Sequence, residues 1–147
     1  MDHTLIENSG VSKATYALAY EKLTGAVPGV QPSTDGRTDP EIMRNLFVAN
    51  HEILTAAAEG RLIEVLAEAG QELTRELLER GYALPGILGA LKALAETQIV
   101  VQSALTGNIR PNAENKLMLL GASASLLDME VGGFGSDHIV RSRLVRG

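Results

Sequence analysis

Apolar residues recur at helical spacing along most of this chain, and the repeat breaks where Gly, Pro, Ser and Thr cluster. The pattern predicts five helices. The first runs from Ser12 to about Thr24: Tyr16, Tyr20 and Leu23 share a face, Ser12 suits an N-cap and Gly25 a stop. Residues 25–38 then read as a long loop, of the kind that is often functional or mobile. The second helix opens at Thr38-Asp39-Pro40-Glu41, where either Thr38 or Asp39 caps, and carries Ile42, Met43, Leu46, Ala49, Ile53 and Ala57 on its apolar face as far as Gly60.

A third helix is predicted from Arg61 to Arg80, with a stripe of Leu62, Leu66, Ala69, Leu73 and Leu77 and a stop at Gly81. Gly60 is either a corner between two helices or a weak point in one, and the pattern leaves both open. The fourth runs from Pro85 to Gly107. Its apolar residues point nearly all round, as in a central, buried helix. The fifth begins after Pro111 with Asn112 as N-cap and ends near Val131, with the small residues Gly121 to Ser125 at its middle. From Asp39 to Val131 only Phe47 and Tyr82 are aromatic, so the core of that block is expected to be Leu, Ile, Val, Met and Ala.

These elements predict an all-α fold. A bundle of about five helices occupies residues 1–131, irregular over 1–11, with its long loop at 25–38. Gly132, Gly133 and Gly135 then form a hinge before an extended, β-branched and basic arm that completes 132–147.

Composition narrows the function classes. At 147 residues the chain can close a core without staples, and having no cysteine it has no disulfide, thiolate metal site or cysteine nucleophile. A net charge of −5 argues against nucleic acid. The apolar stretch 83–105 carries Lys92, Glu96, Gln98 and Gln102, a polar load that argues against membrane insertion; with no leader pattern at the N-terminus, a soluble cytoplasmic protein is expected. The charge is uneven: Arg141, Arg143 and Arg146 stand against Asp137 in the tail, on an otherwise acidic chain.

Four constellations are candidates for chemistry or contact. Glu64, Glu68, Glu72 and Glu76 repeat every fourth residue, an arrangement that disfavours a helix unless cations answer it, and the arginines of the arm are the expected partners. Gly121 and Ser125 are spaced for close helix packing, and with Phe134 they join the expected interface. Gln98 and Gln102 share one side of an apolar helix, where a small ligand or a partner helix would satisfy them. Lastly, His51-Glu52-Ile53-Leu54-Thr55 falls on the polar side of the second predicted helix.

That string resembles the H-E-x-x-T phosphoacceptor motif of sensor histidine kinases. The resemblance implies that His51 accepts a phosphoryl group, Glu52 assists proton removal and Thr55 positions water. Leu54 and Ala56 replace the Arg and Pro usual in that family, and no glycine-boxed nucleotide domain is present, so it implies at most a phosphotransfer module. A second stretch, Leu78 to Leu84 followed by an Ala/Leu-rich helix, looks like helical sensor domains of stress-response regulators. No His follows an acid at Glu-x-x-His spacing, which argues against a di-iron bundle. The expectation is therefore a non-enzymatic, self-associating interaction or assembly protein without cofactor or metal, its partner being itself or another protein. Phosphotransfer or regulatory signalling through His51 and ligand sensing between helices are the alternatives.

Overall fold

The computed structural model describes residues 1–97 and 99–146, with Arg146 described by its backbone alone. In order, its elements are β1 (Ile6–Glu7), α1 (Val11–Thr24), α2 (Asp39–Ala49), α3 (Ala56–Gly60), α4 (Leu62–Glu72), α5 (Thr74–Arg80), β2 (Tyr82–Ala83), α6 (Ile87–Ala95) and α7 (Arg110–Leu117). Three 3-10 segments follow, Met118–Leu126, Met129–Val131 and Arg141–Arg146. The chain is predominantly helical; its only sheet among the described residues is the antiparallel pair β1–β2, with Ile6 opposite Ala83.

The first helix forms nearly as predicted, but its cap lies upstream. Asn8 Oδ1 accepts from the Gly10 and Ser12 backbone N–H groups at 3.0 and 3.3 Å, and Gly10 turns the chain at φ 85°. Gly25 closes α1 in the left-handed region, as expected. Thr38 caps α2 through the Glu41 N–H at 3.3 Å, with Pro40 in the first turn.

The second predicted helix stops early, at Asn50. The Asn50 side chain donates to the Leu46 and Val30 carbonyls at 2.8 and 2.7 Å and accepts from the Gly29 and Val30 N–H groups, so it latches the long loop onto the end of α2. His51 then adopts φ 59°, and Thr55 starts a new helix by capping Ala58 N at 3.2 Å. The third predicted helix divides at Leu73 into α4 and α5. There the Gly70 carbonyl accepts from Thr74 Oγ1 at 3.3 Å and from Asn115 Nδ2 at 3.1 Å. α7 crosses α4 so closely that a Cβ on Gly70 would lie 2.1 Å from Asn112 Oδ1.

The fourth and fifth predicted helices are mostly not helical. α6 ends at Ala95 and buries only Leu91, so it is not the central helix that the sequence suggests. Residues 100–104 carry no helix or strand, and Leu105 bridges Gly133 in parallel. Asn112 lies inside α7 rather than capping it, and its Nδ2 donates to the Leu66 carbonyl at 3.1 Å. Beyond Leu117 the chain tightens to 3-10 turns, broken at Gly121 with φ 55° and ψ −136°.

Two clusters form the interior. Tyr16 and Tyr20 of α1, Met43 and Phe47 of α2, and Val65 and Leu66 of α4 sit in the first, where the Tyr20 and Phe47 rings meet at 5.0 Å. The second collects Ile6, Leu91, Leu117 and Phe134. Because Phe134 is 2% exposed, the glycines beside it are packing positions rather than a hinge. A Cβ on Gly135 would stand 2.0 Å from the Gly107 carbonyl oxygen. The tail is not extended: it turns through Arg141–Arg146, and the Ile139 carbonyl accepts from Thr38 Oγ1 at 2.6 Å. Among the described residues no helix is long and apolar enough to cross a membrane.

Candidate functional site

The acidic stripe finds cations, but not those of the tail. Lys22 of α1 reaches Glu72 at 2.6 Å and Glu68 at 3.7 Å, Arg61 faces Glu64 at 3.7 Å, and Arg80 pairs with Glu76 one turn earlier on α5. Among the described residues neither Arg141 nor Arg143 pairs with this stripe, and the Arg146 side chain is outside them. Gly121 and Ser125 are exposed, and a Cβ on Gly121 would meet nothing within 4 Å, so no helix packs closely there. Phe134 is an interior residue, not a surface anchor.

The paired-glutamine expectation cannot be followed as a pair, since Gln98 lies outside the described residues. Gln102 uses its Nε2 on the Leu91 carbonyl at 2.9 Å, tying its segment to α6. His51 and Glu52 are exposed in the break between α2 and α3, and Thr55 acts as a helix cap. The three therefore do not share a helical face, and the local geometry of the phosphoacceptor motif is missing.

What the fold does assemble is a polar network that joins the chain start to α7. Lys116, 7% exposed, projects from α7 and donates to Asp2 Oδ2 at 2.9 Å and Asn108 Oδ1 at 2.7 Å. Asp2 also accepts from Asn8 Nδ2 at 2.8 Å and Asn108 Nδ2 at 2.9 Å. Asn108 donates as well to Thr106 Oγ1 at 2.7 Å. Burial works against a charged Asp2, but Lys116 and these hydrogen bonds outweigh it and hold its carboxyl at about 2.

Beside this network lies Asp39 at the head of α2. Its carboxylate accepts from the Tyr16 hydroxyl and from the Ile109 N–H, both at 2.8 Å, so one side chain joins α1, α2 and the start of α7. Burial raises its carboxyl above the usual value, against the pull of Lys116 and its two donors, and burial likewise raises the Tyr16 phenol. A cleft enclosing about 720 Å³, open solvent included, lies over these groups. The end of the long loop, Thr34 to Arg37, forms one wall, and Arg141 contributes to another.

The arrangement suits binding better than acid–base or covalent chemistry. Asp2 is already charged and saturated, and Asp39 is enclosed. The Ser12 hydroxyl has no hydrogen-bond partner and hence no base to activate it. Among the described residues no group of His, Cys, Asp or Glu is placed to hold a metal ion.

A second surface is apolar. Ile99, Val101, Val131 and Val145 are 91%, 70%, 63% and 70% exposed, far from the burial that such side chains favour. Ser103 to Leu105, Glu130 to Gly133, Leu144 and Val145 line a groove of about 900 Å³, open solvent included. None of its residues is singled out as a contact in the sequence, where Gly132 and Gly133 read as a hinge and Leu105 falls in the fourth predicted helix, as does the run Ile99-Val100-Val101. The polar network is also invisible in the sequence, where Asn108 and Lys116 lie in a stretch that is mostly polar. No protein-family model matches the chain, and no curated protein matches it in sequence.

Proposed function

We propose that the chain is a non-enzymatic interaction protein that assembles with a second copy of itself through the apolar strip around residues 99–105, 131 and 145. The observation that carries the reading is the exposure of Val131 and Val145 on an open groove, with Ile99 and Val101 exposed a few residues before its Ser103–Leu105 wall. Solvent-exposed apolar clusters of this kind mark contact surfaces. Ile99 is joined to Leu105 of the groove wall by a segment that spans at most about 20 Å. A surface with both a ridge and a groove can pair about a two-fold axis, each ridge entering the other copy's groove.

This relocates the expected contacts. The acidic stripe is answered by Lys22, Arg61 and Arg80 within the chain, which leaves it little to offer a basic partner. Phosphotransfer through His51 loses the helical face on which it depended. The test is a pair of substitutions, Ile99→Lys and Val101→Lys, both at exposed positions. Light scattering should show an assembled wild type and a monomeric variant with unchanged helical circular dichroism. A wild type that is monomeric at every concentration overturns the proposal, as does a variant that assembles equally well.

A further inference from the structure

We propose that the cleft over the Asp2–Lys116 pair binds a small oxyanion, a carboxylate or phosphate, between the guanidinium groups of Arg141 and Arg37. The inference is independent of self-assembly, because the cleft and the apolar strip are lined by different residues.

Of the carboxylates on the lining, Asp2 is answered by Lys116 at 2.9 Å, and Asp39 is buried and held by the Tyr16 hydroxyl and the Ile109 N–H. The arginines are different. Among the described residues Arg141 makes neither an ion pair nor a side-chain hydrogen bond. Arg37 donates through Nη1 to the Ser33 carbonyl at 2.9 Å, and its Nε is a long 3.5 Å from Glu41 Oε1, which leaves Nη2 uncommitted. The other charged groups on the cleft are Asp35, exposed on the loop, His3, engaged by Glu7 at 2.8 Å, and the Met1 ammonium, which feels both Asp2 and Arg141. Arg37 and Arg141 both line the cleft, and a planar guanidinium fork matches the oxygens of carboxylate or phosphate. The space in the cleft that a water-sized group can occupy is about 230 Å³, which suits a small ion rather than a drug-sized ligand or a peptide.

The experiment is a titration of the full chain followed by amide chemical shifts, with inorganic phosphate, malate and chloride as probes at matched ionic strength. Phosphate or malate should produce saturable shifts at Thr34–Arg37 and Asn108, and chloride should not. Tighter binding of phosphate assigns the site to phosphate esters, and tighter binding of malate to carboxylates. Arg141→Gln, which breaks no ion pair or side-chain hydrogen bond among the described residues, should weaken the better probe about tenfold or more, and Arg37→Gln should weaken it in the same direction. Shifts that chloride reproduces, no saturable shifts with either oxyanion, or an affinity unchanged in Arg141→Gln would each overturn the proposal.

Discussion

Replacing Lys116 by Met keeps most of the side-chain volume and removes the ammonium that faces Asp2 and Asn108. In the wild type the Asp2 carboxyl drops from 3.8 to about 2, and at about 1.4 kcal/mol for each pH unit this contributes about 2 kcal/mol of stability above pH 4. Without Lys116 the burial penalty persists and its main compensation is gone, so Lys116→Met should destabilise the fold by about 3 kcal/mol at pH 7. The pH dependence has a defined sign. The wild-type contribution of Asp2 is present above its unfolded value and is lost as pH falls through about 2. In the variant, burial without the cation raises the Asp2 carboxyl, so the variant gains on protonation, and the gap between the two proteins narrows in acid. Asp39 shifts in the same direction, because Lys116 also holds its carboxyl down. Urea unfolding followed by circular dichroism at pH 7 and pH 3 measures both effects. Adding Asp2→Asn to Lys116→Met should recover part of the loss, since no buried charge then remains unpaired. A loss under about 0.5 kcal/mol, or one that does not change between the two pH values, would refute the reasoning.

Other positions carry expectations of their own. Phe134→Ala should cost about 3–5 kcal/mol in urea unfolding, because this side chain fills the second cluster; a hinge residue would cost almost nothing. Gly135→Ala should destabilise by about 2 kcal/mol or more, since the new Cβ meets the Gly107 carbonyl at 2.0 Å. It should also speed tryptic cleavage at Arg141 and Arg143. His51→Gly should raise stability by up to about 1 kcal/mol by relieving a left-handed backbone; destabilisation would show that the His51 side chain makes a contact the fold requires.

What could be read from the sequence was local. The Thr38 cap, the Gly25 stop and the shared face of Tyr16 and Tyr20 depend on neighbours within one or two turns, and the fold keeps them. The breaks depend on distant partners. The end of α2 falls at Asn50, and what fixes it there includes bonds of the Asn50 side chain to the distant Gly29 and Val30, which residues 40–60 alone do not reveal. Ile99-Val100-Val101 suits a buried helix or an extended segment equally, and the choice follows the pairing of Leu105 with Gly133 and of Gln102 with Asp128. The cleft depends on Asp2 meeting Lys116, a closure no spacing rule anticipates. The acidic stripe was legible as a pattern, but its main cation comes from a different helix, α1, through Lys22.

Self-assembly through the apolar strip is tested most directly by sedimentation equilibrium of the full chain over a wide concentration range. The account predicts a mass that rises toward twice the 15.6 kDa of one chain and stays at one chain when Ile99 and Val101 are replaced by Lys. A wild-type mass fixed at 15.6 kDa across that range would contradict it.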